Sequence, residues 1–465
     1  MTDSLESSFA NVLGRLWPYI TRCSLQGPSE FYSHRENCQG IVPTKIAIGV
    51  SGGADSIALI LLLKEYFFSK NCELIALTVD HGLRPESLDE AKTVASLMQK
   101  MGIKHQILRW EGEKPQTSIQ EKARYARHRL LRSYCRENDI GLLMLAHHLD
   151  DQEETLVMRY LRQSRLLGLS GMPALFYWPG LSVARPLLPF RKSVLKDFLR
   201  NKKVSWIEDP SNKNLVFSRI RIRQALRISK PWVVSYLSDF ERLRGSFDRL
   251  LNQLINRYGK LFPEGYIELQ RVPFDSLPTA FQIEILERVI MAVGGLFYPP
   301  RRQKLEIFLQ KLQACEGIQF SFGGCLVRRK KNILLVFREP ASVENEKSLE
   351  AQTEFLWDKR FRFKKKELSY DFQGITLGAL GHRDLLMLSK KAPFDMNVTL
   401  RELPSKILQT FPAFRRNGAL VSVPGLGYLS EKRDQVLSKS LIFEPPNPLI
   451  RNFFSTQILR EKECQ

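Results

Sequence analysis

The stretch Ser51-Gly52-Gly53-Ala54-Asp55-Ser56 constrains this chain more than any other. It follows an apolar run, Lys45 to Val50, that reads as a short buried strand, and precedes Ile57 to Leu63, which reads as a helix. Strand, Gly/Ser loop and helix start make an anion site. The glycines let backbone N–H groups face a phosphate, and the helix N-terminus adds a favourable dipole. Ser51 and Ser56 add hydroxyl donors. The loop lacks the Gly-Lys-Ser/Thr ending of a Walker A loop and the three-glycine spacing of a dinucleotide loop. A plain glycine-rich βα turn is the bland alternative, and a lone Gly-Gly would favour it.

From residue 45 the pattern is strand and helix repeated. Glu73–Val79, Lys104–Arg109 and Gly141–Ala146 read as strands; Glu86–Met101, Ser118–Asn138 and Gln152–Gln163 read as helices. Such alternation implies a parallel sheet covered on both faces, with ligands beyond the carboxyl ends of its strands. Distinctive segments fall at those ends. Besides the Gly/Ser loop there is Val79-Asp80-His81-Gly82-Leu83-Arg84, where Asp80 suits a ribose or simply an Asp-Gly turn. There is also His147-His148-Leu149-Asp150-Asp151-Gln152-Glu153-Glu154-Thr155. Asp150 and Asp151 offer two carboxylates that suit Mg²⁺, which usually keeps water and phosphate as its other ligands. His147 suits a phosphate contact or proton transfer. A His/Asp zinc site is the sharper alternative. A helix N-terminus capped by Asp150 or Asp151 is the blander one.

These motifs together resemble the PP-loop ATP pyrophosphatases. SGGADS, VDHGLR, LAHHLDDQEET and EDPSN at 208–212 narrow the resemblance to the tRNA(Ile)-lysidine synthetase family, strongly over residues 45–225. What the resemblance implies is an ATP-dependent carbon–nitrogen ligase. It adenylates C2 of the wobble cytidine in a tRNA(Ile) with a CAU anticodon, then joins free L-lysine there, releasing AMP and pyrophosphate. ATP would contact Ser51, Gly52, Gly53, Ala54, Asp55, Ser56, Asp80 and Arg124, with Mg²⁺ on Asp55, Asp150 and Asp151. Asp55, His147, Asp151 and Arg219 would carry the chemistry. Arg127, Arg165, Arg223, Arg328, Arg329, Lys364, Lys365 and Arg415 would hold tRNA. Departures from the family pattern are His128 for a tyrosine, Gln163 and Arg165 for glycines, and Asn214 and Ile220. Without the family, Arg219, Arg221 and Arg223 would read as a solvated basic stripe.

Charge and composition agree with a polyanionic partner. Net charge is +21, which points to nucleic acid first and an anionic membrane surface second. No apolar run approaches the ~20 residues of a membrane span. The seven cysteines form no C-x-x-C, which fits reduced thiols in a cytoplasm. It also disfavours a PP-loop thiolase, one rival; a tRNA-binding protein with a decayed nucleotide site is the other. A homodimer is compatible with the sequence.

The expected architecture is α/β: a parallel-sheet PP-loop nucleotide-binding domain, a mainly helical domain, and a small α+β C-terminal domain. Residues 1–44 form an N-terminal helix and loop packed on the catalytic domain, 45–225. Residues 226–339 form a helical tRNA- or substrate-binding domain, 340–352 a linker, and 353–465 a C-terminal tRNA-binding domain. In the second, Leu237, Phe240, Leu243, Phe247, Leu250, Leu251, Leu254 and Ile255 have core spacing on one long helix. In the third, Arg360 to Lys366 alternates like an edge strand, and Asn417-Gly418 signals a hairpin.

Overall fold

The computed structural model describes residues 4–25, 43–83, 86–112, 114, 119–162, 164, 166–178, 180–208, 231–314, 317–351, 353–365, 367, 369–391, 403–450 and 456. Packing divides the chain into two compact units, residues 1–248 with 452–465, and residues 249–451.

The first unit is built on strands β1 (Lys45–Gly49), β2 (Glu73–Asp80), β3 (Lys104–Arg109) and β4 (Leu142–Leu145), with β5 (Leu175–Trp178) and β6 (Leu181–Ala184). Their order is β3-β2-β1-β4-β6-β5; β5 alone runs antiparallel to its neighbour. The chain leaves β1 toward β2 on one side, while β4 returns on the other, so the strand order reverses between β1 and β4. That switch point is where ligands of open α/β sheets bind. Apolar residues fill both faces because helices cover both. Helix α1 (Leu5–Leu25) buries Phe9, Val12, Leu13, Leu16 and Ile20 in the core that also holds α2 (Ala54–Phe67). Next come α3 (Ser87–Lys100), α4 (Ile119–Glu137), α5 (Leu149–Leu161), the short α6 (Leu166–Leu169) and α7 (Lys192–Asn201). The expected four strands and their helices are present; β5 and β6 extend the sheet beyond them.

Helix α8 (Pro231–Tyr258) corrects one reading of periodicity. Leu237, Leu251 and Ile255 are buried, but Leu243 and Leu250 are 55% and 43% exposed. The apolar positions cover more than one face, and a single face meets the core.

In the second unit β7 (Gly259–Leu261), β8 (Ile267–Gln270), β9 (Gln319–Phe322), β10 (Cys325–Arg329) and β11 (Ile333–Arg338) form one antiparallel sheet, ordered β7-β8-β11-β10-β9. Helices α9 (Arg271–Asp275), α10 (Thr279–Gly294) and α11 (Arg302–Ala314) accompany it. Residues 340–352, read above as a linker, carry a 3₁₀ turn and β12 (Lys347–Ser348), which pairs with β15 (Ile375–Ala379). Strand β15 also pairs with β16 (Pro412–Arg416), and β16 with β17 (Ala419–Val423) across Asn417-Gly418, where both residues have positive φ as a tight hairpin requires. Strands β13 (Glu354–Trp357), β14 (Phe361–Lys364) and β18 (Leu441–Phe443) form a third sheet. The β13–β14 turn places Asp358 between Arg338 and Arg360, all three buried, at 2.9 and 2.7 Å. The Arg360 side chain also donates to the Gly265 carbonyl at 3.2 Å.

Candidate active site

The Gly/Ser loop leaves β1 in the shape its residues demand. Gly52 has φ +80°, and a Cβ there would lie 2.7 Å from Val94 Cγ2 and 2.8 Å from Ile207 Cδ1. Only glycine suits both the dihedral and the space. The Ile207 N–H donates to the Gly52 carbonyl at 2.9 Å, pinning the loop from the far end of the domain. The Ser56 hydroxyl donates to the Gly53 carbonyl at 2.9 Å and accepts from the Ser51 N–H at 3.3 Å. Its proton therefore shapes the loop. Gly53 is the N-cap of α2, and Asp55 stands in the first turn.

Strand β4 delivers the acidic segment beside this loop. His148 caps α5, and its backbone N–H donates to Asp151 Oδ2 at 3.2 Å. The His148 ring, 2% exposed, lies between three carboxylates: Nε2 is 3.4 Å from Asp55 Oδ2 and 3.5 Å from Asp151 Oδ2, and Nδ1 is 3.3 Å from Asp150 Oδ2. Burial alone would lower its pKa. The carboxylates of Asp150, Asp55 and Asp151 outweigh that and raise it to about 9, so the ring is an imidazolium at neutral pH. Burial likewise pushes Asp150 upward, but His148 and the Lys192 N–H bring it down to about 2. Lys192 Nζ lies 2.7 Å from Asp55 Oδ2, and the Lys192 N–H donates to Asp150 Oδ2 at 2.8 Å. Next to it Arg191 grips the Glu153 carboxylate at 2.8 and 3.1 Å. Asp55 Oδ1 is buried with no hydrogen-bond partner. No group of three His, Cys, Asp or Glu among the described residues is disposed to hold a metal ion by itself.

A cationic region faces the carboxyl ends of β2, β4 and β6. Arg185, just after β6, is buried; its Nε donates to His147 Nδ1 at 3.3 Å and its Nη1 to the Pro173 carbonyl at 2.9 Å. Its guanidinium lies 4.6 Å from the Phe176 ring centre. Burial, with the Arg124 charge in support, pushes its pKa down to about 9. His147 Nδ1 accepts this hydrogen bond, which leaves Nε2 to carry the ring N–H. His128, on α4, keeps a ring contact with Trp178 at 5.1 Å between centroids, so an aromatic partner survives the change from tyrosine. Burial and the charges of Arg124, Arg185 and Arg127 lower its pKa to about 4. His81 is likewise lowered to about 4, by burial and then by Arg127, which lies 3.2 Å from its Nε2.

The Asp80 carboxylate, offered above as a ribose contact or an Asp-Gly turn, accepts from the Gly82 N–H at 2.8 Å and the Ser87 hydroxyl at 2.6 Å, and is 1% exposed beside Arg109. Gly52, Gly53, Ala54, Asp55, His147, Asp150 and Asp151 come together at the switch point; Arg124 and Arg127 lie on α4 and act on Arg185 and His128. Arg165, Arg219 and Arg223 lie outside the described residues. Sequence reading missed His148 as the hub, and also Arg191 and Lys192. The last two had a signal: cations in a first helical turn oppose the dipole and call for nearby acids.

The basic candidates of the second unit divide. Arg329 is spent on Asp275 at 2.7 Å and on the carbonyls of Leu312 and Gln313. Arg415 is spent on Asp384 at 2.7 Å and on the carbonyls of Ala379 and Leu380. Both, offered above as tRNA contacts, are engaged in internal ties. Lys364 is 52% exposed, 3.6 Å from Glu354. Lys365 donates to the Glu350 carbonyl at the surface, and Arg328 is half-buried on β10.

The comparisons with known proteins agree with this geometry. Residues 30–229 match the PP-loop domain family. The tRNA(Ile)-lysidine synthase of Orientia tsutsugamushi is 30% identical over 418 residues, 86% of this chain and 93% of that one. Those of a Wolbachia species from Brugia malayi and of Ruegeria pomeroyi are 33% and 34% identical, covering 68% and 69% of this chain and 76% of each relative. A chain with this switch-point site and these relatives belongs to the tRNA(Ile)-lysidine synthase family of PP-loop proteins.

Proposed function

We propose that this protein makes lysidine at the wobble cytidine of a tRNA(Ile) with a CAU anticodon, using ATP and free L-lysine. The observation that carries the reading is the meeting, at one switch point, of the Gly/Ser loop, the Asp55–His148–Asp150–Asp151 group and the Arg185–His147 pair. Cytidine O2 attacks the α-phosphate of ATP; the bond to pyrophosphate breaks and C2 carries an adenylate. The backbone N–H groups of Gly52 and Gly53 receive the leaving pyrophosphate. Nε2–H of His147 donates to a phosphate oxygen, and Arg124 with Arg185 offsets the charge that develops. The lysine amine then attacks C2 and AMP departs with O2. The free amine has a pKa of ~10.4, so it must first lose a proton to a base in the site.

Mg²⁺ belongs to this reading. Asp55 Oδ1, a buried oxygen without a partner, would hold it, Asp150 and Asp151 would join only by giving up His148, and water and phosphate would complete the shell. When bound, the ion would neutralise phosphate charge. Arg219 is retained from the family resemblance as a further phosphate contact, with Arg223 and Arg165 toward tRNA. A homodimer is part of the same proposal; Tyr236 and Leu243, turned outward on α8, give it a surface, and sedimentation equilibrium tests it. No helix among the described residues is long and apolar enough to cross a membrane, in keeping with the proposed cytoplasmic setting.

The thiolase rival needs reactive thiols. Among the described residues, burial raises Cys72 to about 11 and Cys135 and Cys325 to about 12, which suppresses the thiolate. The deciding experiment is mass spectrometry of a tRNA(Ile) transcript after incubation with ATP, lysine and the protein. A lysine adduct at the wobble cytidine is expected, lost in Asp55→Ala and Asp151→Ala with tRNA binding kept. An unmodified transcript, or full turnover in either variant, overturns the reading.

A further inference from the structure

We propose that Lys192 is the resident counter-ion of Asp55 and becomes a direct ligand of the ATP polyphosphate when nucleotide and divalent cation enter. The inference rests on the ATP site proposed above. Lys192 opens α7, where a cation opposes the helix dipole, so its place there is not explained by the helix. Its two nitrogens serve the acidic group separately. The backbone N–H holds Asp150 Oδ2 at 2.8 Å, fixing the start of α7, while Nζ spans to Asp55 Oδ2 at 2.7 Å. Asp55 stands two residues beyond Gly53, so the ammonium sits at the edge of the loop that would cradle phosphate.

The pair is also built to exchange. The Lys192 and Asp55 side chains are 34% and 21% exposed, so water and ions reach the contact. Ion pairs in such settings are weakly held, and lysine carries a compact charge on a flexible stem. The second Asp55 oxygen, Oδ1, is buried without a partner and is the atom with unused capacity for a cation. A divalent ion arriving at Asp55 would displace the ammonium, and the nearest anion to receive it is the polyphosphate that arrives with the metal. Charge stays balanced: the carboxylate exchanges one cation for another, and the freed ammonium meets phosphate. His148 does not duplicate this role, because its ring is enclosed by Asp55, Asp150 and Asp151 together.

The test uses the full chain and needs no turnover. Lys192→Met keeps the stem and removes the charge; Lys192→Arg restores a charge. Circular dichroism and a melting curve establish that each variant is folded. Mn²⁺ alone, followed by electron paramagnetic resonance, should bind Lys192→Met about three- to fivefold more tightly than the wild type, since its competitor is gone. ATP without metal, followed by calorimetry, should bind Lys192→Met about tenfold more weakly, the loss typical of one charge-assisted contact. Lys192→Arg should lie near the wild type in both. Unaltered Mn²⁺ affinity in Lys192→Met would remove the counter-ion role, and unaltered or tighter ATP binding would remove the phosphate role. A wild-type chain that bound no ATP would overturn the proposed function and this inference with it, an outcome distinct from a failure confined to Lys192.

Discussion

Arginines packed into the two units are treated in opposite ways. In residues 249–451, Arg338 and Arg360 meet Asp358, Arg329 meets Asp275, and Arg415 meets Asp384, each within 2.9 Å. In the first unit, Arg185 is as deeply buried but leans on His147, a carbonyl and an aromatic face, with Arg124 pushing its pKa down. The chain thus neutralises arginine where it builds structure and crowds like charges where it builds a site. Crowding like charges costs stability unless an anion arrives. On this contrast, the cationic region beside the Gly/Ser loop is one that a phosphate is meant to complete.

The strongest way to break the contrast is at Asp358. Asp358→Asn keeps a residue that tolerates the left-handed backbone found there, φ 49°, and removes the shared negative charge. Two guanidiniums would remain buried without it, a loss of about 3–5 kcal/mol. Calorimetric melting should show the transition of the second unit falling by on the order of 10 °C. ATP affinity should be retained. A melting curve like that of the wild type would mean that the buried triad is not what it seems.

Arg185→Met probes the other side. If Arg185 is held for a ligand, removing it should cost little stability, about 1 kcal/mol or less after the lost carbonyl contact. Pyrophosphate release dependent on tRNA should fall on the order of 10- to 100-fold, below the effect of a full oxyanion donor. A variant that melted far lower, with turnover per folded molecule unaltered, would class Arg185 with the structural arginines.

Much of this was legible in the sequence. Gly52, Gly53 and the apolar runs around them define the strand, loop and helix locally, and the alternation implies a parallel sheet, though not that its order reverses between β1 and β4. What was not legible is which charges cancel. Lys192 and Asp55 are 137 residues apart, and Arg415 finds Asp384 from another element. A run such as Arg360 to Lys366 gives its alternation correctly, since Phe361 and Phe363 are buried and Lys364 is exposed. It cannot reveal that Arg360 is fully buried: its acid, Asp358, is only two residues away, but Arg338 and the Gly265 carbonyl come to the pair from distant elements. Pairing is a tertiary property, whereas a basic cluster is a local one.

The histidines of the first unit sharpen the contrast through pH, at smaller amplitude. His148 is raised to about 9, so its contribution is complete below the unfolded value of ~6.5 and is lost as pH rises toward 9. His81 is lowered to about 4, so its contribution is complete above ~6.5 and is lost as pH falls toward 4. Melting temperature in the presence of a chelator should therefore peak near neutral pH. His148→Gln should flatten the alkaline limb and His81→Gln the acid limb. Equal flattening of both limbs by either variant would show that the environments assigned to these rings are wrong.

The smallest effect expected is the most selective. If internal arginines are structural and exposed cations are free for RNA, only the second kind should carry a salt dependence. Lys364 lies on β14 with its amine turned outward, and Lys365 beside it is held by one carbonyl and by the face of Phe372, 4.7 Å away. Neither is enclosed by its partners, so either can exchange them for a phosphate. Each phosphate contact contributes about 0.7–0.9 to the slope of log K against log salt. Lys364→Ala with Lys365→Ala should thus flatten that slope by about 1.5, at unaltered melting temperature and unaltered ATP affinity. Arg329→Lys is the matched control. It keeps the charge but loses the forked contact to Asp275 and two carbonyls, so it should lower the melting temperature and leave the slope alone. The opposite pattern, a slope that follows Arg329 and ignores the two lysines, would mean that burial does not separate structural from RNA-facing cations here.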